Sequence, residues 1–175
     1  MAHGSRREGL PRGARLAAIG LLLALAACPR PFDPQTGVVR KGAAAFRVAA
    51  PGAGWRLVPG GGDAAFLNDA TLATMAASAS CGERGDPPLR VLLNHLVIGF
   101  TQKKVLSEEL VPLDGREALR ATLAARLDGI PRRLLLYVMK KDGCVYDLQY
   151  GAPDAAFDAG LPAFEAFVKG FGTIR

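Results

Sequence analysis

Few residues in this 175-residue chain have the chemistry for acid–base, nucleophilic or metal work, and their spacing limits what they can do. His95 sits in an apolar-periodic stretch with no His, Cys or carboxylate three or four positions away, so it reads as a surface or capping histidine, not a ligand. Glu108 and Glu109 are adjacent, and on a strand they point to opposite faces, so they cannot work as a pair. Asp114, Asp128 and Asp142 each precede a glycine and have turn-forming reasons to be there. None of their loops supplies the alternating oxygens of a calcium site. Gly60-Gly61-Gly62 lacks the Lys and Ser/Thr of a phosphate cradle, and neither Gly-x-Ser-x-Gly nor Cys-x-x-Cys occurs. The expectation is a chain without catalytic residues, cofactor or metal. The weakest alternative is a hydrolase built on carboxylates, or on Cys81 with His95.

The N-terminal region has a clearer purpose. Residues 5–15 are polar and basic, and Leu16 to Ala27 form a 12-residue apolar run. That length suits the core of a signal peptide and is too short to cross ~30 Å of hydrocarbon as a helix. The run ends in Leu25-Ala26-Ala27-Cys28, which resembles the lipobox of bacterial lipoproteins at all four positions. The resemblance implies cleavage before Cys28, acyl chains on its thiol and amine, and a membrane anchor made of several chains. Pro29, in place of Asp, leans toward the outer membrane, so the expected address is the cell envelope, lipid-anchored on the periplasmic face of that membrane. Ser5-Arg6-Arg7-Glu8-Gly9-Leu10 only partly resembles a twin-arginine export motif, since Gly9 stands where Phe is usual.

With Cys28 taken by lipid, Cys81 and Cys144 remain as an even pair in an oxidising compartment, and a disulfide between them is the leading expectation. Two separately buried thiols, or a catalytic thiol, are the alternatives. Loss of residues 1–27 removes four arginines and one glutamate, which lowers the net charge from +6 to +3. The remaining cations are scattered in short clusters, Lys103-Lys104, Arg132-Arg133 and Lys140-Lys141. They read as solvated faces, and no aromatic-interleaved basic stripe points to nucleic acid.

The elements follow from periodicity. Short strands are expected at 46–51, 55–58, 64–68 and 72–80, with Trp55 at the edge of the core. Leu89, Leu92, Leu93, Leu96, Val97 and Phe100 define an amphipathic helix of about three turns, with Asp86 as its N-cap. Val91 and Ile98 lie opposite its stripe, either under a second layer or as an exposed partner patch. Three Asp-Gly pairs spaced 14 residues apart then mark hairpin turns. They delimit a four-stranded antiparallel meander, with residues 116–127 read as strand although their composition also suits a helix. Phe164, Phe167, Val168 and Phe171 form the stripe of a terminal helix, with Pro162 in its first turn.

This order describes an α+β domain, an antiparallel sheet flanked by helices. It resembles the PsbP-like and Mog-like α/β/α sandwich over about residues 45–171. The matching features are Phe46-Arg47-Val48-x-x-Pro51-x-x-x-Trp55, Leu113-Asp114-Gly115-Arg116-x-Ala118 and Phe164-x-x-Phe167-Val168-x-x-Phe171. The resemblance implies a module that binds other proteins. The expected organisation is a signal peptide at 1–27, a lipidated Cys28 with a Pro-rich tether at 28–44, and one domain at 45–175. The expected function is an envelope accessory module with a protein partner and no nucleic acid. The alternative is a carrier or sensor of a small or lipidic ligand, held in an apolar cavity between sheet and helix.

Overall fold

The computed structural model describes Met1, residues 31–82 and residues 85–174. The signal peptide, the arginine motif and Cys28 lie outside the described residues. Among the described residues eleven strands form two antiparallel sheets, accompanied by two α-helices. The small sheet has the order β1-β2-β3-β11, made of Phe32–Asp33, Val38–Lys41, Ala44–Arg47 and Gly172–Thr173. The large sheet has the order β4-β5-β6-β10-β9-β8-β7. Its strands are Arg56–Leu57, Ala64–Asn68, Ala73–Cys81, Cys144–Pro153, Ile130–Lys141, Arg116–Leu127 and Thr101–Leu113 in that order.

The meander is present, but as four strands of seven: β10 continues onto β6, and β6 onto β5. The three Asp-Gly pairs make its turns. Asp114, Asp128 and Asp142 have φ of 47°, 50° and 51°, and their glycines 74°, 78° and 76°, the left-handed pair that matches strand twist. β8 is strand throughout. Leu119, Ala121, Leu123 and Ala125 point to one face, and Ala118 and Thr122 to the other. β9 is apolar on both faces because both are covered.

One face carries the larger core, where the small sheet and α2 (Phe157–Lys169) pack on Phe66, Met75, Leu135, Tyr146, Leu148 and Tyr150. Aromatic rings fill it: Phe164 stacks on Tyr150 at 5.4 Å, and Phe46 meets Tyr146 edge-on at 5.8 Å. α2 approaches closely at Gly160, where a Cβ would stand 2.3 Å from the Tyr150 hydroxyl. That hydroxyl donates to the Phe157 carbonyl at 2.8 Å, which ties the start of α2 to β10. α1 (Leu89–Leu96) covers the other face, laying Leu92, Leu93 and Val97 on β8 and β9.

Several expectations are corrected. Residues 32–44, read as tether, form β1, β2 and the start of β3, because Phe32, Val39 and Phe46 bury one alternating face. Among the described residues the first strand thus begins at Phe32, and the prolines at 31 and 34 confine it to two residues. α1 has eight residues, since Gly99 takes φ 90° and stops it short of Phe100. Its N-cap is Pro88 without a side-chain cap; Asp86 pairs instead with Lys140. α2 starts at Phe157, after a 3-10 turn at Asp154–Ala156, which leaves Pro162 inside the helix and the Asp158 carbonyl without its usual donor.

Candidate partner surface

α1 turns Leu92 and Leu93 inward, which on a 3.6-residue period sets Val91 outward, 42% exposed; Ile98, in the turn past the C-cap Val97, is 74% exposed. No second layer covers them among the described residues. An ion pair between Arg90 and Glu108 ties the helix to β7, and Lys103 Nζ donates to the Val97 carbonyl at 3.3 Å, capping its C-terminal end. Glu109 faces the opposite side and accepts from Arg120 at 2.7 Å, as adjacent strand residues must. His95 is exposed in the last turn of α1.

β7 is the expected first strand of the meander, but its place at an uncovered edge of the sheet was not read from the sequence. It is a 13-residue strand paired only with β8 among the described residues, so its outer backbone groups face solvent. α1 packs its apolar face on β8 and β9 and meets β7 through the Arg90–Glu108 pair and the Lys103 bond, so most of β7 stays exposed. Val105, Leu106 and Leu110 are 53%, 48% and 59% exposed. The register shifts twice, between Thr101 and Lys104 and between Val105 and Ser107, and Gln102 takes φ 48°. Bulges and lysines blunt a sheet edge, so the regular stretch from Ser107 to Leu113 is the part open to strand addition. The signal in the sequence was Val105-Leu106, an adjacent apolar pair that breaks strict alternation.

Two concave regions flank this surface. Beside α1, a cavity of ≈200 Å³ is lined by Ala65, Ala76, Leu96, Phe100, Leu134 and Leu136. On the opposite face, an open groove between β7 and α2 holds a polar chain. Arg120 Nε donates to the Tyr137 hydroxyl at 3.0 Å and Nη1 to Glu109, with Glu165 and Lys169 on the far wall. Burial works to lower the Arg120 pKa, and the bonds to Tyr137 and Glu109 outweigh it, so the guanidinium is held more firmly charged than usual.

Cys81 and Cys144 form a disulfide. They are directly opposed residues of β6 and β10 with a Cα separation of 4.0 Å, which takes Cys81 out of any thiolate chemistry with His95. The two lie on opposite elements from α1's exposed ridge, so the sequence-marked residues are not brought into one pocket. Among the described residues no three His, Cys, Asp or Glu converge as a metal site, and no helix is long and apolar enough to cross a membrane.

No family model matches the chain, and no curated protein matches it by sequence. Solved structures do. LpqN of Mycobacterium tuberculosis, described as involved in cell envelope biogenesis, superposes with a TM-score of 0.55 at 16% identity, over 74% of this chain and 83% of LpqN. The cyanobacterial PsbP of Synechocystis sp. PCC 6803 superposes with a TM-score of 0.54 at 15% identity, over 82% of this chain and 90% of its own. At these identities the likeness concerns the fold alone, which is PsbP-like.

Proposed function

We propose that this chain is a non-catalytic accessory module of the cell envelope, lipid-anchored through Cys28 on the periplasmic face of the outer membrane, that engages a protein partner through α1 and the β7 edge. The observation carrying this reading is the exposed apolar run of Val105, Leu106 and Leu110 on an open sheet edge, beside Val91 and Ile98. A monomer gains nothing by leaving such residues in water, and an extended partner segment can bury them while pairing the free backbone groups. The likeness to LpqN, a protein of envelope biogenesis, supports the setting.

The test is crosslinking in living cells with the tagged chain, followed by mass spectrometry. The comparison strains carry Cys28→Ala, or Val91→Ser with Ile98→Ser, or Leu106→Asp with Leu110→Asp. A partner captured by the parent and lost in the surface variants supports the reading. A parent that comes out alone sinks it.

The ligand-carrier reading is favoured by one observation, the cavity beside α1. At ≈200 Å³ it falls below the roughly 300–1,000 Å³ of ordinary small-molecule sites, so it suits a ligand the size of a short acyl segment at most.

A further inference from the structure

The short distance between Cys28 and the first strand restricts how the domain meets the bilayer. Phe32 is buried against Phe66, with ring centroids 5.4 Å apart, and the Pro31 carbonyl accepts the Arg40 N–H at 2.9 Å. The fold thus takes hold of the chain at residues 31–32, beside Arg40. Three residues lie between Cys28 and Phe32, so four residue steps give a reach of at most ~14 Å in any conformation. A domain of this size has a radius of gyration of ~15 Å, so such a tether cannot hold it clear of the membrane or let it turn over freely. Only the surface around β1 can face the lipid.

That surface is the outer face of the small sheet. Val39 and Phe46 point into the core, so the alternate residues point out: Val38 and Arg40 on β2, Ala45 and Arg47 on β3. Arg40 and Arg47 are diagonal neighbours across the β2–β3 pair, both exposed, and neither is ion-paired with a described residue. Half-buried Val38, Ala45 and Ile174 lie between and beside them; the Ile174 N–H donates to the Ala45 carbonyl at 2.9 Å. Asp33, the carboxylate on this face, is occupied by its own turn, accepting from the Gln35 N–H and the Thr36 hydroxyl.

We infer that the outer face of the β1-β2-β3-β11 sheet lies on the bilayer surface, with Arg40 and Arg47 binding anionic phospholipid headgroups. This rests on the lipid-anchor reading above. The small sheet and α1 cover opposite faces of the large sheet, so the orientation points Val91 and Ile98 away from the membrane, toward partners in the aqueous compartment.

The lipid-anchored chain is purified and reconstituted in vesicles containing phosphatidylglycerol, and in vesicles of phosphatidylcholine alone. The chain from Pro29 onward, which holds every described element, serves as the soluble reference. Phenylglyoxal labels accessible guanidiniums, and peptide mass spectrometry reads each arginine and the lipid on Cys28. The expected result is severalfold slower labelling of Arg40 and Arg47 on phosphatidylglycerol vesicles, partly relieved by high salt, with Arg126 at the far hairpin unchanged. Equal labelling of Arg40 and Arg47 in vesicles and in solution, with lipid present on Cys28, overturns the orientation alone. So does protection of Arg126 and Arg132 in their place, which would seat the opposite end of the sheet on the lipid. A Cys28 without lipid overturns the anchor, and the orientation with it.

Discussion

Asp114 gathers three hydrogen bonds on one carboxylate oxygen. Its Oδ2 accepts from Lys141 Nζ at 2.7 Å, from the Thr173 N–H at 2.9 Å and from the Thr173 hydroxyl at 2.7 Å. It therefore fastens the C-terminal strand β11 to the β7–β8 turn and the β9–β10 hairpin. Burial works to raise its pKa, but the bond from the Lys141 ammonium and the two from Thr173 outweigh it and hold the carboxyl below the ordinary carboxylate value. A folded-state pKa below the unfolded one means the stabilisation is present above the unfolded value of ~3.9 and is lost as pH falls through the folded one. Asp114→Asn keeps a residue that tolerates positive φ yet removes the charge. It should cost about 1–2 kcal/mol at neutral pH by urea unfolding and flatten the acid limb of the stability curve. An unchanged acid limb would show that Asp114 contributes no such linkage.

At the level of elements, the glycines of the meander and of α2 act for different reasons. Gly129 needs a left-handed φ of 78° in a turn with open space around it. Gly129→Ala should therefore cost only the conformational penalty of about 1–2 kcal/mol. Gly160 is helical and has no such strain, but a Cβ there meets the Tyr150 hydroxyl at 2.3 Å. Gly160→Ala must displace Tyr150 from its bond to Phe157, with an expected loss of about 2–4 kcal/mol from overpacking and a broken buried hydrogen bond. Thermal melts of the two variants separate these cases; equal shifts would refute the packing argument. The helix at 89–96 and the meander were legible because period and turn chemistry are local. The lengths of α1 and α2 were not. Gly99 ends one early, and the other begins at Phe157, five residues before Pro162, where its first carbonyl accepts the hydroxyl of Tyr150 on β10.

Across the whole molecule, the disulfide and the exposed apolar surface are the two levers. The bridge joins β6 to β10 across a separation of 63 residues, a loop that encloses α1 and the β7–β9 part of the meander. On the chain-entropy account its reduction should remove about 4 kcal/mol, seen as a lower urea midpoint in reductant. A midpoint that does not move would mean that the strand pairing alone holds the register. Val91→Ser with Ile98→Ser should leave stability within about 0.5 kcal/mol, because neither side chain is in the core. Any loss of partner capture by that variant is then a loss of contact and not of folding.

What the sequence determined by itself is whatever short-range chemistry specifies. Asp114-Gly115, Asp128-Gly129 and Asp142-Gly143 impose left-handed turns wherever they stand, and the alternation of Leu119, Ala121, Leu123 and Ala125 then dictates which face of β8 is buried. The pairing of Cys81 with Cys144 was likewise readable once Cys28 was set aside. Tertiary structure alone decided the rest. That Phe32 packs on Phe66 turns an apparent tether into the first strands, since a burial partner 34 residues distant leaves no local periodicity. That β7 is largely exposed while β8 is covered depends on where α1 comes to rest. A residue's face is set by its neighbours in sequence; whether that face meets a layer or water is set by elements far along the chain.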